Sequence, residues 1–276
     1  MSEIRALEGH EQTAIAGMTF PAYRPLLGTS GAVVVAAYAG MVPIGAAIAS
    51  LGGMAEALSI YVAPSQRGQG LAARLLTALE DALRRHGVEA VQATYVAGKP
   101  TTPQLEATLD RCGWDAPVIR MLVFKADLAR MAGAGWVERA ELGPEFEFVP
   151  WEPGTRPQGD WWPDDLDPAR HEADMDLATS RGLRLDGELV GWVINHRIDA
   201  VTLRVSAGYV RPDLQMRGRM LGLYAEAGRL ASEQGIERLT WTVPIWHPAK
   251  AAFARRWMAP FADMQESRGT GKQLST

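Results

Sequence analysis

VAPSQRGQGLAARLL, residues 62–76, runs from an apolar stretch ending in Val-Ala-Pro through a glycine-rich turn into a helical pattern. Leu71, Leu75, Leu79 and Leu83 fall on one stripe, and Gly87 stands where such a helix would end. Backbone N–H groups at a helix N-terminus form an anion site when glycines clear the approach. Gly68 and Gly70 clear it here, Ala72 keeps the next contact small, and Arg67 and Arg74 offer charge. A worn copy, VRPDLQMRGRMLGLY, occupies residues 210–224. Pro64 falls on Pro212 and Gly70 on Gly218, an offset of 148, and in that register Gly87 meets Gly235 and Pro100 meets Pro248. This is the spacing of a duplicated domain, too long for a solenoid repeat.

Each half predicts the same order. A short strand (EIRAL, EFEFVP) precedes a helical segment, at about 10–27 in the first half and 167–180 in the second. A hairpin follows, turning near Gly40 and at Asp186–Gly187, the latter a strong hairpin dipeptide. A strand ending at V-x-P, the long helix, another strand (AVQATYVAG, RLTWTVPIW) and a shorter helix come next, and IRMLVFKADL is expected to close the first half. The order indicates an α/β (α+β layered) architecture. The domains are expected at 1–128 and 145–276 with a linker at 129–144, and WEPGTRPQGDWWPD at 151–164 reads as an irregular insertion.

Composition narrows the classes. With 47% hydrophobic and 22% charged residues the chain can bury a core, and a net charge of −4 gives no support to a nucleic-acid or anionic-membrane surface. The single cysteine, Cys112, excludes an intrachain disulfide, fits a reducing, cytoplasmic setting, and reads as a packed thiol. The N-terminal residues lack a signal-peptide pattern. Leu26–Ala55 carries no charge and is long enough to cross a bilayer, but Gly40, Pro43, Gly45 and Leu51-Gly52-Gly53 interrupt it, so two buried strands explain it better than a membrane span. GQGLAA at 68–73 fits a dinucleotide fingerprint, yet it lies after a hairpin, behind five intervening residues, with no acid closing the next strand. His86, His196 and His247 have no metal-site spacing. Trp151, Trp161, Trp162, Trp192, Trp241 and Trp246 read either as core or as an apolar groove. Nothing in the composition speaks to oligomeric state.

Val62-Ala63-Pro64 followed by Arg67-Gly68-Gln69-Gly70-Leu71-Ala72 resembles the acyl-CoA signature of the GNAT superfamily of N-acyltransferases, V-x-P then [QR]-x-x-G-x-[GA]. The resemblance covers about 1–128 well. In the second half Val210 and Pro212 are kept, but Gln215-Met216-Arg217-Gly218-Arg219-Met220 ends on Met where the family has Gly or Ala. The whole chain thus resembles a tandem GNAT protein, each half a mixed, mostly antiparallel sheet flanked by helices, with the acyl-CoA in the first half; Arg217 and Arg219 leave phosphate contacts open in the second.

The resemblance implies direct transfer of an acetyl or longer acyl group from acyl-CoA to a primary amine of a small molecule or peptide, without a metal. Ile60, Tyr61 and Val62 would align the pantetheine, and Arg67 to Ala72 would hold the pyrophosphate. The family's usual acid, a tyrosine, is replaced by Leu109. Glu56 is a candidate base or the solvated end of a strand; Tyr61 and Tyr95 are substitute acids or core aromatics. A non-catalytic acyl-CoA-binding or interaction module is the alternative.

Overall fold

The structure, a computed structural model, describes residues 2–140, 142–215 and 217–274. In chain order the elements are β1 (Glu3–Leu7), β2 (Ala32–Ala39), β3 (Val42–Ser50), β4 (Ala55–Val62), α1 (Leu71–Arg85), β5 (Ala90–Val96) and α2 (Thr102–Arg111). There follow β6 (Val118–Asp127), α3 (Leu128–Ala132), β7 (Phe146–Pro150), β8 (Arg181–Leu185), β9 (Glu188–Asp199), β10 (Thr202–Val210) and α4 (Arg219–Glu233). The chain ends with β11 (Arg238–Pro244), α5 (Pro248–Phe253) and β12 (Asp263–Gln273). Residues up to Arg120, with those from Glu266 onward, form one compact unit, and Met121–Gln265 form the other.

In the first unit the sheet runs β1-β2-β3-β4-β5-β12, antiparallel throughout except for β4 and β5. The leucine stripe of α1 packs on one face, with Leu75, Leu79 and Leu83 fully buried against Val33, Val35 and Val91. Ile15 and Leu7 close the other face over Val34, Ala36 and Ile48. Strands β2 and β3 are therefore buried on both faces, which is why residues 26–55 read as an uncharged run. Their turn sits at Gly40, φ 59°. The helix expected at 10–27 is instead two 3-10 segments, Gly9–Met18 and Pro21–Leu26, because Pro21 and Pro25 remove the N–H groups a longer helix needs.

In the second unit the order is β6-β11-β10-β9-β8-β7, again antiparallel apart from one pair, β10 and β11. The β8–β9 hairpin turns at Asp186 and Gly187, both at positive φ, as its dipeptide predicts. Residues 167–180 do not form the expected helix. Short turns at Asp164–Leu166 and Pro168–His171 replace it, and the Asp176 carboxylate takes the N–H and hydroxyl of Thr179 to close the rest. Part of the expected linker is core: Met131, Ala134 and Trp136 are buried beside Phe124 and Leu239.

The closing strands differ from expectation as well. IRMLVFKADL, expected to finish the first half, pairs as β6 with β11 of the second unit, and the C-terminal β12 pairs with β5 of the first. Side chains explain the assignment. Leu122, Phe124 and Ala126 of β6 join the apolar core around Leu239. On β12, Lys272 meets the 2% exposed Glu80 of α1 at 2.6 Å, and Arg268 meets Glu106 of α2 at 2.9 Å. Trp114 Nε1 donates to the other Glu80 oxygen at 2.8 Å.

Removing one member of a buried ion pair leaves the other uncompensated. Lys272→Met is therefore expected to lower the unfolding free energy by about 3–5 kcal/mol in urea, with most of the loss recovered in Glu80→Leu/Lys272→Met. An unchanged single variant would overturn this account of the C-terminal strand.

Candidate active site

The site begins with one extra residue in β4. Ser59 pairs with Ile48 and Ala57 with Ala49, so Leu58 has no partner on β3 and the strand is bulged there. A bulge bends and twists its strand. β4 is hydrogen-bonded to β5 only at Ala55 and Glu56; beyond the bulge Ile60, Tyr61 and Val62 keep their β3 partners and leave an open edge toward β5.

Past that edge the chain enters the quoted loop. Pro64–Gln66 makes one 3-10 turn, and Arg67 Nε folds back onto the Val62 carbonyl at 3.1 Å, which fixes the loop to the strand end. Gly68 (φ 77°) and Gly70 (φ 76°) are left-handed, and Gly70 is the N-cap of α1. A Cβ at either would meet nothing within 4 Å, and no acid stands in the first turn of α1. The N–H groups opening α1 thus face clear space at the positive end of the helix dipole. Arg74 is committed elsewhere, donating to the Ser2 hydroxyl and carbonyl at 2.9 Å.

The candidate catalytic side chains divide between the two faces of the sheet. Ala57, Ile60, Val62 and Tyr95 pack with the α1 core, so by alternation Glu56 and Tyr61 point to the opposite face. Glu56 lies at the paired end of β4, ~13 Å along the strand from Ile60 at about 3.3 Å per residue. Tyr95 donates to Glu106 Oε1 at 2.9 Å, and Arg268 holds the same oxygen. Burial first, and Glu106 second, push the Tyr95 phenol well above its ordinary range, so it stays protonated. Leu109, one turn beyond Glu106, is buried in the core. Sequence reasoning found Tyr95 but missed Glu106 and Arg268, whose only signal was a carboxylate one turn before Leu109.

Residues 8–106 match the profile described as the acetyltransferase (GNAT) family. The match lies within the first unit. Members of this family take an acyl group from acyl-CoA, and the clear approach over Gly68 and Gly70 fits a pyrophosphate. Three solved structures share the fold across the chain. A tandem GNAT protein from the clavulanic acid biosynthesis pathway, solved without acetyl-CoA, is 15% identical, with a TM-score of 0.61 covering 100% of this chain and 99% of its own. A GCN5-related N-acetyltransferase from Sphaerobacter thermophilus is 16% identical, TM-score 0.61, covering 100% and 96%. A glucosamine N-acetyltransferase region of a fungal multi-domain GH3 beta-N-acetylglucosaminidase is 13% identical, TM-score 0.62, covering 99% of this chain and 38% of that one. No curated protein matches the chain by sequence. The fold is a tandem GNAT fold.

The second unit repeats the bulge, the loop anchor and the helix cap of the first. Ser206, 148 positions after Leu58, is the extra residue of β10, and β10 pairs with β11 only at Thr202–Val205. Gly218 caps α4 at φ 82°, and Gln215 Nε2 donates to the Val210 carbonyl at 2.7 Å, as Arg67 does to Val62. What differs lies over the strand: a Cβ at Gly208 would sit 2.9 Å from Met220 Cε and 3.4 Å from the Tyr224 hydroxyl. Met220 therefore occupies the face of β10 beside the split. Met216 lies outside the described residues. Trp151 and Trp192 are buried core, and Trp161, Trp162 and Tyr209 pack half-buried against them. Among the described residues no helix is long and apolar enough to cross a membrane, and no cluster suits a metal ion.

In an ultraviolet difference titration of the chain against Tyr95→Phe, the Tyr95 phenol is expected to ionise well above the ordinary value of about 10. Glu106→Gln should bring it only part of the way back, because burial is the larger cause. Ionisation at or below the ordinary value would contradict the Tyr95–Glu106 pairing.

Proposed function

We propose that this chain is an acyl-CoA-dependent N-acyltransferase whose first unit holds the acyl-CoA. The reading is carried by one conjunction: an open strand edge at Ile60–Val62 leading directly into a loop whose two left-handed glycines clear the N-terminus of α1. Leu71 and Ala72 begin that helix, and Arg67, Gly68, Gln69 and Gly70 form the turn that would take the pyrophosphate. Held there, an acyl thioester supplies an activated carbonyl and a thiolate leaving group whose thiol pKa is about 8.5. The free N–H and C=O groups of β4 align it and polarise the carbonyl. Glu56, the only carboxylate of β4, is assigned to receive the proton of the acceptor amine, on the face it shares with Tyr61. Tyr95, kept as a phenol, is the donor available on the other face; its raised pKa makes it a weak acid, worth less than the ~10²-fold of a matched one. The acceptor is a primary amine of a small molecule or peptide side chain, and the acyl group is acetyl or longer.

Buried Leu109 in place of the family's tyrosine favours a second reading, a non-catalytic acyl-CoA-binding module. Native mass spectrometry with thioesters from acetyl-CoA to palmitoyl-CoA is expected to show one equivalent bound, lost in Gly70→Asp and kept in Gly218→Asp. The opposite pattern would move the cofactor to the second unit. Release of free CoA thiol with a panel of amines is expected, and Glu56→Gln should lower kcat ~10²-fold. Thioester binding without release for any amine would favour the module.

A further inference from the structure

A large cavity lies elsewhere, in the second unit. It encloses about 930 Å³, at the upper end of the roughly 300–1,000 Å³ range of ligand pockets, and opens from the split between β10 and β11. Its wall is mainly apolar: Leu203, Trp136, Trp241, Val243, Phe253 and Met258 are among its residues. In the 148-residue register Tyr95 of the first unit falls on Val243 and Glu106 on Ala254, both of which line this wall. The polar pair of one unit is thus an apolar surface in the other.

The charged groups around the cavity are mostly accounted for. Asp127 caps α3 through the N–H groups of Ala129 and Arg130. Asp165 is held by His247 at 2.8 Å, and Arg229 is paired with Glu226 and Glu233. Glu237 is exposed. Lys250 is the exception. Its Nζ donates to the Gly208 carbonyl at 3.3 Å, and among the described residues no ion pair to a carboxylate is formed, Asp165 acting on it only at longer range. Burial pulls its pKa down to about 8 against the weaker opposing effect of Asp165. A withdrawn ammonium without an ion pair, at the edge of an apolar chamber, is complementary to an anionic head on an apolar body.

We propose that the second unit binds an apolar monocarboxylate, with its carboxylate on Lys250 beside Gly208 and its hydrocarbon body in the cavity between β10, α4 and α5. Met220 and Tyr224 over Gly208 make the same opening a poor strand edge for a pantetheine, so this site is separate from the proposed acyl-CoA site. The claim stands or falls independently of acyl transfer in the first unit.

The test is titration calorimetry of the full chain with dodecanoate, dodecan-1-ol and dodecylammonium as probes, in the starting protein and in Lys250→Met, Lys250→Arg and Gly70→Asp. Dodecanoate is expected to bind at one equivalent, at least tenfold tighter than the alcohol or the ammonium. Lys250→Met should lose at least tenfold while melting normally, Lys250→Arg should keep most of the affinity, and Gly70→Asp should change nothing. Equal affinity for all three probes, an unaffected Lys250→Met, or loss in Gly70→Asp would each overturn the proposal. If Lys250→Met fails to fold, Lys250→Gln and the charge series on the starting protein decide it.

Discussion

Glu80 and Lys272, separated by 192 residues, meet inside the first unit at 2.6 Å. A carboxylate this deep is tolerated only with a cation and further hydrogen bonds, and Lys272 with Trp114 supplies both. The consequence reaches the sheet. β5 needs a partner on its outer edge, since an unpaired edge exposes a row of backbone groups. The strand that follows α2 has apolar side chains suited to the Phe124–Leu239 core, so it pairs in the second unit. The returning C-terminal strand carries the lysine and arginine that the acids of α1 and α2 require. The first unit lacks its full sheet until the chain has passed through the second.

A second constraint, the bulge, makes the site. One extra residue in β4 and one in β10 end the parallel ladders early, and both splits then need a helix to cover them. Gly45 and Gly191 meet that need in the same way. A Cβ on Gly45 would lie 2.9 Å from Leu75 Cδ1 and from the Tyr61 carbonyl; on Gly191 it would lie 3.0 Å from the Tyr209 carbonyl and 3.4 Å from Leu223 Cδ1. Leu75 and Leu223, like Tyr61 and Tyr209, are 148 residues apart. The helix can press onto the hairpin only because the strand beneath it lacks a side chain, and that pressure aims the N-terminus of the helix at the split.

These features differ in how legible they were. The loop, the leucine stripe, the Asp186–Gly187 turn and the duplication could be read because each is a local pattern or an exact spacing. The exchanged strands could not, because alternation shows that β6 and β12 are strands without naming their partners; the partner is chosen by Glu80, Glu106 and Phe124, which are remote in sequence. The helices expected at 10–27 and 167–180 failed where prolines and an aspartate turn outweighed a weak pattern. At the site, the glycines and Tyr95 were visible. Glu106, Arg268 and Lys250 were not, since each looks like an ordinary surface charge until the fold gives it its partner or withdraws it.

Comparison of the two units separates what the fold demands from what chemistry demands. Bulge, cap glycine, loop anchor and hairpin glycine recur at matching positions, so they belong to the frame. Ala72 against Met220, Tyr95 against Val243 and Glu106 against Ala254 do not recur, and all three changes lie at the split itself. A drifting copy would be expected to lose frame and site residues alike. Here the frame is kept while Tyr95 and Glu106 are replaced by apolar residues, and Lys250, a new cation there, is held at the strand edge by the Gly208 carbonyl. That distribution is what two units selected for different ligands would leave behind.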